Sequence, residues 1–165
     1  MTRGAPPRRR PWGAARVAVA AGLLLLAAVS ARALGSCTFT VVTAVSFGNY
    51  DALNTIPLDQ TGSITFNCSL LALQTLTVDL SKGHSGTYAS RQMQKSGGAT
   101  LLYNLFLDAT RTQVWGDTTG GTVHFGPYLP LLGQDHTVTI YGRVPARQAS
   151  PTGAYTDTVV ATINF

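Results

Sequence analysis

An all-β chain folded as a sandwich is what this sequence predicts, and three observations carry that expectation. Apolar and polar residues alternate with period two in six separate runs, the pattern of strands with one buried face. Clusters of Gly, Asn, Asp, Ser and Pro separate those runs, and no long stretch after the leader shows a helical apolar period. Composition agrees. The chain has 17 glycines, abundant Thr and Val and no Glu, so it favours strands and turns over exposed helices.

The chain opens on a leader. Arg3, Arg8, Arg9, Arg10 and Arg16 precede an apolar run from Val17 to Val29, and Ala31-Arg32-Ala33 supplies a small-x-small cleavage pattern. A run of 13 residues falls short of the roughly 20 that a spanning helix needs. The expectation is therefore a signal peptide over residues 1–33, with no membrane span after its removal. Residues 34–165 then form one domain of 132 residues, with six basic side chains against seven aspartates. The +5 charge of the full chain belongs to the leader, so no nucleic-acid or anionic-membrane partner follows from it.

The strands follow in order. Cys37, Phe39 and Val41 alternate with Thr38 and Thr40. Ile64, Phe66 and Cys68 alternate with Ser63, Thr65 and Asn67, and Leu76, Val78 and Leu80 with Thr75, Thr77 and Asp79. Leu101, Tyr103, Leu105 and Leu107 form a fourth stripe, with Leu102 and Phe106 making its other face partly apolar. Val138, Ile140, Gly142 and Val144 form the fifth. Val159, Ala161, Ile163 and Phe165 form the sixth, which runs to the last residue. Turn formers punctuate these runs at 47–51, 81–83, 96–98, 116–121 and 150–153. Strands of this number and spacing in one domain read as a β-sandwich.

Both cysteines are in phase with the buried stripes of their strands. Two cysteines in an exported chain most often pair, so a Cys37–Cys68 disulfide is expected. Its 31-residue separation gives roughly 3–4 kcal/mol in the chain-entropy account. Two buried free thiols are the alternative. A zinc site would lack ligands.

Longer runs carry a resemblance. Cys37-Thr38-Phe39, Phe47-Gly48-Asn49-Tyr50-Asp51 and Thr61-Gly62-Ser63-Ile64-Thr65-Phe66-Asn67-Cys68 resemble the spore coat protein U domain. So do Leu102-Tyr103-Asn104-Leu105-Phe106-Leu107-Asp108, Val114-Trp115-Gly116-Asp117, Tyr141-Gly142-Arg143-Val144-Pro145-Ala146 and Gly153-Ala154-Tyr155-Thr156-Asp157-Thr158-Val159. Proteins of this family look like pilins of the archaic, Csu-type chaperone–usher pathway. The resemblance implies an immunoglobulin-like sandwich lacking its last strand. A periplasmic chaperone would complete it first, and a neighbouring pilin-like subunit would do so after delivery to an outer-membrane usher.

The sequence is consistent with such incompleteness. An open apolar edge aggregates unless something pairs with it, and strand addition supplies backbone bonds and side-chain pockets together. Val159, Ala161, Ile163 and Phe165 are expected to face a chaperone and donor-strand groove, with Thr158, Thr162 and Asn164 turned away. A closed sandwich, with those four as ordinary core, is the alternative. Cleavage after Ala33 leaves only Leu34, Gly35 and Ser36 before Cys37. At roughly 3.3 Å per residue they cannot span a groove, so the chain is expected to accept a strand and not to donate one.

Catalytic patterns are weak. Gly83-His84-Ser85-Gly86-Thr87 approaches a nucleophile elbow but lacks its closing Gly and a following helix, so it reads as a loop. His84, His124 and His136 have no metal-ligand spacing. Five of the seven aspartates lie at or near turns, where such side chains bond the backbone. Asn67-Cys68-Ser69 matches a glycosylation sequon, but its middle residue is the disulfide candidate. Trp115 and Tyr128 read as packing anchors rather than a sugar platform. No enzyme and no cofactor are expected. The function expected is a secreted structural or adhesive surface subunit. A non-fibrous coat component, or a secreted carbohydrate-binding module or hydrolase, are the alternatives.

Overall fold

The computed structural model describes Met1, residues 35–69 and residues 74–165. The signal peptide expected over residues 1–33 therefore lies, Met1 apart, outside the described residues. Among those described, no helix is long and apolar enough to cross a membrane.

The described residues form two antiparallel sheets. One runs in the order β1 (Ser36–Thr43), β2 (Leu58–Ser69), β7 (Asp135–Val144), β5 (Thr100–Phe106) and β4 (Arg91–Gln94). The other runs β6 (Phe125–Tyr128), β3 (Leu76–Leu80) and β8 (Ala161–Asn164). Their facing stripes make a sandwich core from Ile64, Phe66, Val138 and Ile140 on one side and Leu76, Val78 and Leu80 on the other. Each such side chain contributes about 1.5–3 kcal/mol on full burial. Trp115 is fully buried between the layers, its indole N–H donating to Val78 O at 2.8 Å.

Period-two alternation fixes the longest pairing. β2 and β7 run in unbroken register from Leu58↔Val144 to Asn67↔Asp135. A one-residue slip would turn Ile64 and Phe66 out to solvent. On the outer face Thr65 and Thr137 share a hydroxyl bond at 2.8 Å, and Asn67 donates to Asp135 at 2.8 Å. Phe66, Phe125, Tyr128 and His136 form an aromatic cluster across one end, with the His136 ring stacked 4.1 Å from Tyr128.

Cys37 lies directly opposite Cys68 and is joined to it by a disulfide, the Cα atoms 4.1 Å apart. Beyond Phe39 the pattern departs from expectation. Pairing shifts between Phe39↔Phe66 and Val41↔Thr65, which leaves Thr40 as an extra residue. This bulge turns Val41 to the outer face, where it is exposed, instead of inward with Cys37 and Phe39. Two strands had no alternating signal. β4 places Arg91 at a buried position, and β6 carries Pro127, tolerated because β6 is an edge strand.

Candidate functional site: a cleft beside the last strand

The segment from Tyr155 to Asn164 alternates half-buried odd positions with exposed even ones. Hydrogen bonds hold the even side. Thr156 exchanges both backbone bonds with Gln94, at 2.8 and 3.1 Å. Val160 O accepts Ser81 N–H at 2.8 Å, and Val160 N–H donates to Ser81 Oγ at 2.9 Å. The ladder with β3 then runs from Leu80↔Ala161 to Thr77↔Asn164. Because bonded and non-bonded pairs alternate in an antiparallel ladder, the odd residues turn their N–H and C=O groups the other way. Nothing described meets them there. The backbone groups of Tyr155, Asp157 and Val159 make no hydrogen bond among the described residues, and β8 has no strand on its far edge.

Beside this open edge lies a cleft of about 1210 Å³. Its floor is apolar core: Ile64, Leu80, Met93, Leu101, Leu105 and Ile140. The opposite wall is Ala44–Tyr50, where the chain leaves β1 and crosses the inner face of the larger sheet. That crossing needs glycine beneath it. A Cβ on Gly142 would stand 2.7 Å from Val45 Cγ1 and 2.8 Å from Phe47 Cζ. Phe47 then meets Tyr103 edge-on at 5.8 Å. Tyr50 ties the far end down, donating to Pro145 O at 3.0 Å and accepting Gln148 N–H at 2.6 Å.

The four residues expected along the groove separate into three kinds. Val159 and Ala161 line the cleft. Ile163 is half-buried against the core, opposite Val78, but outside the cleft lining. Phe165 departs from expectation: it follows the last ladder pair, Thr77↔Asn164, and is 53% exposed. Alternation placed it inward, but it lies one residue past the end of β8, where the ladder that fixes the facing of Ala161 and Ile163 has stopped. Thr158, Thr162 and Asn164 are exposed, and Asn164 donates to Asp79 at 2.7 Å.

Behind the open edge stands a group the sequence did not advertise. Arg91 is fully buried. Its Nε and Nη2 donate to Ser81 O at 3.0 and 2.9 Å, Nη2 also donates to Trp115 O at 2.7 Å, and Nη1 donates to Asn104 Oδ1 at 2.8 Å. Neutral acceptors thus satisfy a charge that burial alone would penalise, and the Tyr88 ring lies 5.2 Å from the guanidinium. Burial lowers the Arg91 pKa and pushes Tyr88 up to about 12. The same Ser81 whose N–H and Oγ hold Val160 is therefore anchored through its carbonyl. Tyr103, on the cleft wall, has its phenol raised by burial and by its hydrogen bond to Asp157.

The remaining singled-out residues serve the frame. Asp51, Asp108 and Asp117 accept backbone N–H groups two to five positions on, closing turns. His124 Nδ1 lies 3.1 Å from Asp79, and Trp115 and Tyr128 are packed in the core and the aromatic cluster. Among the described residues no three His, Cys, Asp or Glu side chains converge as metal ligands.

The fold and site together define an all-β sandwich with one long apolar cleft beside an unpaired strand edge. The Spore Coat Protein U domain model matches residues 23–162, and the chain belongs to that family. It is similar to Protein U of Myxococcus xanthus, 36% identical over an alignment of 132 residues that covers 73% of this chain and 71% of the relative. In fold it is similar to a chain in the crystal structure of the CsuC–CsuE chaperone–tip adhesion subunit pre-assembly complex, from the archaic chaperone–usher Csu pili of Acinetobacter baumannii. That superposition has a TM-score of 0.55 at 23% identity, over 80% of this chain, which spans 40% of the solved one.

Proposed function

We propose that this protein is a non-catalytic surface-assembly subunit, exported through the periplasm to the cell surface, whose cleft accepts a β-strand from another protein. A periplasmic chaperone supplies that strand first, and a neighbouring subunit replaces it at an outer-membrane usher. One observation carries the reading. The unbonded backbone of Tyr155, Asp157 and Val159 borders an apolar cleft, so one inserted strand would satisfy the edge and cover the floor together. The fold shared with a chain of a chaperone–subunit complex supports a chaperone as the first donor. The family's description favours a spore-coat component as the second reading; filaments in electron micrographs of the assembled material would oppose it.

Periplasmic expression with and without a cognate chaperone tests the proposal, with Val159→Asp and Thr162→Asp as paired variants. Rescue of soluble wild type by the chaperone is expected. Val159→Asp should lose capture, because an inserted strand would bury its carboxylate unpaired at a cost of several kcal/mol. Thr162→Asp, on the exposed face, should change stability by no more than about 0.5 kcal/mol. Equal capture by both variants, or a stable soluble monomer without any chaperone, overturns the proposal.

A further inference from the structure

Between Thr156 and Val160 the last segment passes from β4 in one sheet to β3 in the other, and no ladder spans the passage. Thr156 is bonded to Gln94 at one side and Val160 to Ser81 at the other. Asp157, Thr158 and Val159 make no backbone–backbone bond among the described residues. Their anchor is the Asp157 side chain. Oδ1 accepts His84 N–H at 2.9 Å and Thr158 N–H at 2.7 Å, and Oδ2 accepts the Tyr103 hydroxyl at 2.7 Å.

The loop that supplies His84 is shaped for this contact. It joins β3 to β4 and so fills the gap that the last segment must cross. Gly83 sits at φ +66°, and a Cβ there would run into Asp157 Oδ2, so the carboxylate occupies the space where a side chain would be. Ser85 stitches the loop from within, its Oγ contacting Lys82 O, Thr87 O and Thr87 N–H. The hydroxyl of this elbow-like motif is thus spent on its own loop.

We propose that the Gly83–Thr87 loop and Asp157 form a latch that holds the open edge extended and ready for strand capture. The proposal deepens the strand-acceptor reading and rests on it. Asp157 is the positioning residue: it replaces the missing ladder bonds just where Asp157 and Val159 must present N–H and C=O groups in line. An edge ordered in advance spares the incoming strand that ordering cost, so the latch governs how fast a strand docks.

The test uses a synthetic peptide alternating valine and threonine, about ten residues long to follow the edge at roughly 3.3 Å per residue. Association is measured with wild type, Asp157→Ala, Asp157→Asn and Gly83→Ala. Asp157→Ala should slow association about tenfold or more. Asp157→Asn should restore most of the rate, because its amide oxygen still accepts the His84 and Thr158 N–H groups. Gly83→Ala should behave like Asp157→Ala, having displaced the same carboxylate. Peptide capture by wild type with an unchanged rate in Asp157→Ala overturns the latch alone, as does an Asn variant as slow as the Ala variant. No capture by wild type overturns the acceptor reading itself. If Asp157→Ala fails to fold, hydrogen exchange in the peptide-free wild type decides. Protected His84 and Thr158 amides support the latch, and free exchange at either overturns it.

Discussion

β2 and the segment from Tyr155 to Asn164 carry the same alternating pattern and end in different environments. β2 lies between β1 and β7, and its inward residues Ile64, Phe66 and Cys68 are at most 2% exposed. The last segment is bonded along one side only, and Val159, Ala161 and Ile163 remain half-buried. Alternation follows from strand geometry and decides which face a side chain joins. Whether that face is covered depends on neighbours the pattern does not encode. The uncovered area is free energy still available: a Val or Ile gains about 1.5–3 kcal/mol on full burial, and these residues have realised only part of it.

The difference can be broken by mutation. Phe66→Ala, in the finished half, should cost the most, about 3–5 kcal/mol in urea unfolding. Reducing the Cys37–Cys68 bond should follow at roughly 3–4 kcal/mol, given its 31-residue separation. In the strand-free protein Val159→Ala should cost only about 1 kcal/mol, less than the usual range for emptying a packed core site. A Val159→Ala cost equal to that of Phe66→Ala would mean that the last segment is already enclosed, and the contrast would fail.

Where sequence reading succeeded and failed follows the same division. β2, β3, β5 and β7 were legible because each buries one face, and the alternation of Ile64 to Cys68 or Val138 to Val144 reports that directly. β4 was not, because Arg91 stands where an apolar residue is expected. Its burial depends on Ser81, Trp115 and Asn104, which lie near it only after folding. Val41 was misplaced by a bulge that no residue type announces. The inward side of Val159 and Ala161 was legible from alternation. The crossing between sheets at Asp157, and the loop that bridges it, was not, since both depend on where β3 and β4 end. Gly83-His84-Ser85-Gly86-Thr87 stood out in the sequence, but its partner Asp157 lies 73 residues from His84.

The smallest expected effect lies on the outer face of the finished half and sharpens the contrast from the other side. Asp59 stands opposite Arg143 in the β2–β7 ladder and accepts Arg143 Nε at 2.7 Å and Nη2 at 2.8 Å, with Arg111 Nε at 3.3 Å. The Arg143 hydrogen bonds hold its pKa below the ordinary 3.8. A carboxyl that is a stronger acid folded than unfolded stabilises the fold fully above that ordinary value. The contribution is lost as pH falls below 3.8 and through the lower folded pKa. Solvent reaches about a third of both Asp59 and Arg143, so the pair should be worth no more than about 1 kcal/mol. Asp59→Asn should therefore flatten the acid limb of the stability–pH curve slightly. Asp108 and Asp117, also held below the ordinary range by threonine hydroxyls and backbone N–H groups, keep their share in both proteins, so the difference isolates Asp59. Strand capture at neutral pH should be unchanged in the same variant, because Asp59 does not line the cleft. A change in capture without a change in the acid limb would show that the paired half and the open edge are coupled, which their separate hydrogen-bond frames argue against.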